Sequence, residues 1–156
     1  MPDSTYTGKA GHLAAMSELA LRGYNVATPE IDKGDDVFAV NDRTGAMWRL
    51  QVKTSNVRAG ARTERFSFRA RESAIQNPQS PELYFIFVMR RANRTWMFAV
   101  IERPVLRNYA HNGLGTLHNG YRTINMSLHL QAQTLHGAGH NLTHHINDWG
   151  TWPPLP

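Results

Sequence analysis

Residues 36–54 constrain the fold of this chain most. "DVFAV" (36–40) reads as a strand, "NDRTG" (41–45) as a turn, and residues 46–54 as a second strand. The turn supplies Asn, Asp and Gly, the residues that tolerate a tight reversal. In the second strand Trp48, Leu50 and Val52 alternate with Arg49, Gln51 and Lys53, so one face is apolar and the other polar. Such a hairpin must set its apolar face against a core. It then displays Gln51 and Lys53, two residues apart, on the opposite face. Asp36 opens the neighbouring strand, and pairing through the turn brings its carboxylate to the end of the Gln51–Lys53 strand.

The remaining elements surround this hairpin. Residues from about Gly8 to Arg22 predict a helix, with Leu13, Met16, Leu19 and Ala20 as its apolar stripe and Gly23 as its C-cap. "YNVATP" reads as a short strand ended by Pro29. "RFSFR", "LYFIFVM", "TWMFAVI" and "YRTINMSLHL" are strand-like in their aromatic and β-branched content. "PVLRNYA" reads as a short helix with Pro104 in its first turn. The tail "NLTHHINDWGTWPPLP" is expected to pack its tryptophans on the body. With 156 residues, 41% of them hydrophobic, and no internal repeat or linker, the chain is expected to form one α/β domain. A mixed β-sheet flanked by helices is the architecture this order of elements supports.

Charge narrows the partner. The net charge is +5 and the pI about 10.0, a balance that favours an anionic partner such as nucleic acid, although solubility alone also accounts for basic surfaces. Arg58, Arg62, Arg65, Arg69 and Arg71 crowd the segment after Lys53, and Arg90, Arg91 and Arg94 share one turn. Guanidinium groups pair with phosphate in a bidentate manner, so the first cluster is a candidate nucleic-acid-binding surface. The absence of Cys excludes disulfides and thiolate chemistry. No apolar run reaches the roughly 18 residues of a membrane span, and "MPDSTYTGKAGH" carries no secretory pattern, so a cytoplasmic protein is expected.

A carboxylate, an amide oxygen and an ammonium converging on one hairpin suggest metal-assisted chemistry. Carboxylate and carbonyl oxygens are the ligands Mg²⁺ takes. A Lys beside them can orient water and stabilise charge developing on a phosphate. Asp36, Gln51 and Lys53 are therefore candidate catalytic residues. The bland reading gives each a surface role: a turn carboxylate, a surface amide and an edge-strand Lys.

The ordered set "GKAGHLAAMSELALRGYNVATP", "KGDDVFAV" and "WRLQVKTS" resembles the PD-(D/E)XK nuclease superfamily, which includes many restriction endonucleases and the archaeal Holliday-junction resolvases. The resemblance spans about residues 8–55 and implies a restriction-endonuclease-like sheet and a metal-dependent DNA endonuclease. It implies that Asp36 holds Mg²⁺ (or Mn²⁺), that Lys53 is the catalytic Lys, and that Gln51 takes the usual acidic place in a Q-x-K variant. The backbone carbonyl of Val52 is implied as a further metal ligand. Family members often carry a Glu on the first helix; this chain has His12 at the corresponding position. On a helical wheel Glu18 lies opposite the apolar stripe and His12 along its edge, so Glu18 is expected in solvent and His12 as a further catalytic candidate, behind the metal ligands or on the scissile phosphate.

Other candidates are weaker. "HGAGHNLTHH" gathers His136, His140, His144 and His145, but its glycines break the helix that would align metal ligands, so contacts with nucleic acid or a subunit interface are expected instead. "GLG" (113–115) lacks the dinucleotide pattern. Three functions stay open: a metal-dependent endonuclease, a catalytically inactive nucleic-acid-binding module on the same fold, and a docking component of a larger complex. A duplex cut needs two active sites, so a homodimer is expected of a nuclease this small.

Overall fold

The structure is a computed structural model, and it describes residues 4–31, 36–77 and 83–149. The first helix, α1 (Ser4–Leu21), begins nearer the N-terminus than the apolar pattern predicts. Its buried face is Gly11, Ala15 and Leu19, with His12 and Met16 at the margin. Leu13, expected in the stripe, is 54% exposed, and Ala20 is exposed as well. The reason is Gly11. A Cβ there would overlap the Thr54 side chain, so the glycine lets the helix sit directly on the sheet and turns the Gly11–Ala15–Leu19 row inward. Gly23 ends the helix at φ +86°, with the Tyr24 N–H bonded to the Leu19 carbonyl at 3.2 Å and the Gly23 N–H to that of Ala20 at 3.0 Å.

The chain then enters β1 (Asn25–Ala27), β2 (Val37–Val40) and β3 (Met47–Asn56). The predicted hairpin forms: β2 and β3 pair antiparallel from Val37 opposite Leu50 to Val40 opposite Met47. Asn41 holds its turn, accepting N–H bonds from Arg43 at 3.0 Å and Thr44 at 3.3 Å, and Gly45 takes φ +72°. On its other side β3 runs parallel to β6 (Leu83–Arg90), which pairs antiparallel with β7 (Trp96–Glu102). The first sheet is thus mixed, in the order β1-β2-β3-β6-β7.

Beyond β3 the chain bends at Val57 and starts a second sheet. Here β4 (Arg58–Ala59) pairs with β5 (Thr63–Arg71), and β5 with β9 (Tyr121–His129). Three short strands complete it: β8 (Thr116–His118), β10 (Thr134–Gly137) and β11 (His140–Asn141). Helices α2 (Glu72–Gln76) and α3 (Arg103–His111) flank it; α3 has the expected Pro in its first turn, whereas α2 and β8 are additions to the sequence reading.

Two apolar clusters lie on opposite faces of the first sheet. One packs Leu50, Val52, Ile86 and Val88 under Ala15 and Leu19 of α1. The other packs Phe85, Phe87 and Met89 against Phe66, Phe68, Ile124 and Met126 of the second sheet. Strand β6 is buried on both faces, which is why its sequence is a continuous apolar run rather than an alternation. The fold is α/β, with mixed β-structure flanked by helices. Trp149 is buried against Phe98, as expected of the tail; Trp152 lies outside the described residues.

A candidate active site at the margin of two sheets

Leu50 and Val52 face α1, so the alternate residues Gln51 and Lys53 project from the other face of β3. That face is covered unevenly. Over β6 and β7 it is sealed by the second sheet, whereas Phe38, Arg49 and Lys53 on β2 and β3 are only partly buried. Lys53 therefore sits where the two sheets part. Gln51 lies deeper, at 4% exposure.

Asp36 is tied to this strand twice. Its backbone N–H donates to the Leu50 carbonyl at 2.8 Å, and its Oδ2 accepts the Val52 N–H at 2.7 Å. The side chain thereby takes the place of the next backbone acceptor on β2. It brings the carboxylate to the peptide that links Gln51 to Val52, one residue before Lys53. A strand residue directs its N–H and C=O to the same edge, so the Val52 carbonyl projects to the Asp36 side of β3, where no described strand pairs beyond Asp36. Asp36 thus sits beside the segment of β3, about 7 Å long, that carries Gln51, Val52 and Lys53.

His12 approaches from α1. Its Nε2 lies 2.8 Å from the Asp36 backbone oxygen. A carbonyl can only accept, so the proton is on Nε2, and that nitrogen is committed to the Asp36 backbone. His12 holds Asp36 rather than presenting Nε2 to a ligand. Glu18, expected in solvent, is partly buried and pairs with Arg22 one turn on at 2.8 Å.

As a donor set for Mg²⁺ or Mn²⁺, a carboxylate and two carbonyl oxygens are of the right hard-oxygen class and carry a single negative charge. Among the described residues no three His, Cys, Asp or Glu side chains gather closely enough to hold a metal ion. The histidine-rich segment holds no such group either, and its side chains contact other residues. His140 donates to the Asn112 carbonyl at 2.9 Å, and His145 and His144 lie 3.2 and 3.5 Å from the Tyr109 hydroxyl. Burial, reinforced by the charge of neighbouring His144, pushes the pKa of His145 down to about 4.

The arginines divide into groups. Arg65, Arg69 and Arg71 alternate with Phe66, Phe68 and Ala70 and are exposed on the outer face of β5. Arg58 pairs with Arg65 across β4, and Arg62 lies in the connecting turn. The Ser67 N–H donates to Ser55 Oγ at 3.0 Å, which ties β5 to the end of β3. Along the chain Arg58, Arg62 and Arg65 precede that contact, and Arg69 and Arg71 follow it. The turn cluster is different in kind. Arg91 pairs with buried Glu64 at 2.8 Å, and Arg90 lies 4.9 Å from the centre of the Trp96 ring, so both serve the fold.

The sequence reading missed a second buried pair. Arg122 donates to both oxygens of Glu72 at 2.8 Å, which holds the Glu72 carboxyl below the usual carboxylate range. Both buried pairs carried a signal. Glu64 stands at the apolar parity of "TERFSFRAR", and Arg122 at that of "YRTINMSLH". A charge on the inward side of an alternating strand requires a partner.

No family model matches the chain, and no curated protein matches it. Among solved structures it is similar to a bacterial homing endonuclease, I-Ssp6803I. The likeness has a TM-score of 0.50 at 17% identity and covers 80% of this chain and 75% of that one. At this identity the likeness is one of fold.

Proposed function

We propose that this chain is a metal-dependent endonuclease that hydrolyses DNA phosphodiester bonds. The observation that carries the reading is the 2.7 Å bond from the Val52 N–H to Asp36, which joins the carboxylate to the Gln51–Lys53 strand at the open margin of the sheets. The likeness in fold to a bacterial homing endonuclease supports it.

Asp36, the Gln51 amide oxygen and the Val52 carbonyl would hold Mg²⁺ or Mn²⁺. Such an ion supplies Lewis-acid polarisation of a phosphoryl oxygen and makes water more acidic. Lys53 orients the attacking water and offsets negative charge as it develops on the phosphate. His12 keeps the Asp36 backbone in place. Arg71 receives a flanking phosphate, with Arg58, Arg62 and Arg65 extending the track, and Arg69 shares this nucleic-acid-binding surface. A double-strand cut requires two such sites, which a homodimer supplies.

The single described carboxylate favours a second reading, in which the same surface binds nucleic acid or docks an acidic partner without cutting. A plasmid-nicking assay with Mg²⁺ or Mn²⁺ separates the two. Metal-dependent nicking that disappears in Lys53→Ala supports the endonuclease; binding without nicking in the parent protein supports the inactive module.

A further inference from the structure

The outer face of the second sheet carries more than positive charge. Opposite Arg65, Ser67 and Arg69 on β5 stand Ser127, Asn125 and Thr123 on β9. No described Asp or Glu of these strands projects from this face, because Glu64 points inward to Arg91. Cations dominate phosphate tracking, and hydroxyls and amides also donate to phosphate oxygens. Here an amide and hydroxyls lie between the guanidinium groups, and these are the side chains that discriminate base edges: Arg for guanine, Asn for adenine, Ser and Thr for either.

We infer that the outer face of the β5–β9 ribbon enters the major groove of duplex DNA and reads base pairs there. The inference rests on the nucleic-acid reading above and names the form of that substrate. Side chains on one face of a strand recur about every 6.8 Å, which matches two base-pair steps of roughly 3.4 Å. A two-stranded ribbon fits a groove about 12 Å wide, whereas the major groove of A-form RNA is too narrow for side chains to read. The neighbouring strands are short: β4 has 2 residues, β8 has 3 and β10 has 4. They pair only towards the ends of the ribbon, so no strand among the described residues pairs beyond Asn125 at its middle, while on the β5 side the Ser67 N–H is bonded to Ser55 at the end of β3. Beside that pair is a hollow of about 520 Å³ bordered by Asn56, Arg58 and Arg65, room for the sugar-phosphate wall of the groove. The Arg69 guanidinium lies 3.9 Å from the centre of the Tyr121 ring, which orders it before any base is met.

The test uses the full chain carrying Lys53→Ala and a library of randomised duplexes. Selection should enrich one motif. Within it, 7-deazaguanine, which lacks the N7 acceptor of the major groove and keeps O6, should weaken binding about tenfold or more at one or more positions. Asn125→Ala or Ser67→Ala should relax base choice locally and leave the salt dependence unchanged. Failure to enrich a motif, or a motif indifferent to every 7-deaza substitution and to both variants, overturns the inference. Cleavage by the parent protein distinguishes the two levels. Metal-dependent cutting without base preference keeps the endonuclease and removes groove reading; a groove-read motif that is bound and never cut does the reverse.

Discussion

The Asp36 carboxylate and the Val52 backbone N–H are joined at 2.7 Å, so a candidate metal ligand is also part of the sheet. This dual use separates two substitutions. Asp36→Asn retains an oxygen acceptor and removes the charge; it should keep the thermal midpoint within a few degrees and abolish metal-dependent nicking. Asp36→Ala leaves the Val52 donor without this acceptor and should cost about 1–3 kcal/mol in urea unfolding as well. Equal destabilisation by both variants would mean that charge, not the bond to Val52, carries the structural role.

His12 should behave as a positioning residue. His12→Ala removes a hydrogen bond worth about 0.5–1.5 kcal/mol. It should raise the Mg²⁺ concentration needed for half-maximal nicking by about 10–100-fold. Saturating Mg²⁺ should restore most of the rate. A loss of rate that no Mg²⁺ concentration restores would place His12 on the reacting atoms.

Gly11→Ala tests the close approach of α1 to β3. The added methyl meets Thr54, and overpacking of this kind costs about 1–3 kcal/mol. Thr54→Ser or Thr54→Ala should recover part of the loss, and a double-mutant cycle on unfolding free energies measures the coupling.

His145 makes stability depend on acid. Its folded pKa is lowered to about 4, so the unfolded chain binds the extra proton between about pH 6.5 and pH 4. The stability contributed by the neutral ring is therefore complete above about pH 6.5 and is lost as the pH falls towards 4. The largest possible effect is about 3 kcal/mol. Urea midpoints measured from pH 7 to pH 4 should fall less steeply in His145→Gln than in the parent chain.

Replacing Arg62 and Arg65 together by Ala should lower the slope of log affinity against log salt by up to about two on duplex DNA, since each phosphate contact contributes about 0.9. Competition assays at several salt concentrations give the slope. No change would move the phosphate track away from this end of β5.

Local patterning was enough to define the hairpin. Period-two alternation and turn chemistry over residues 36–54 put Gln51 and Lys53 on one face and Asp36 beside them, because strand geometry converts spacing directly into direction. The helix was legible from its apolar spacing, and the β5, β6 and β9 segments from their aromatic and β-branched content. What the sequence could not specify was what covers each face. Leu13 outranks Ala15 in hydrophobicity, yet Ala15 is buried, because a glycine four residues earlier sets the height of the helix over Thr54. The pairing of β3 with β6, the bend into β4 and the meeting of β5 with β9 join segments far apart in the chain, and no local pattern encodes them. Those long-range contacts decided that Lys53 lies at an open margin, that Arg91 and Arg122 are bound within the fold, and that Arg65 and Arg69 share a face with Asn125.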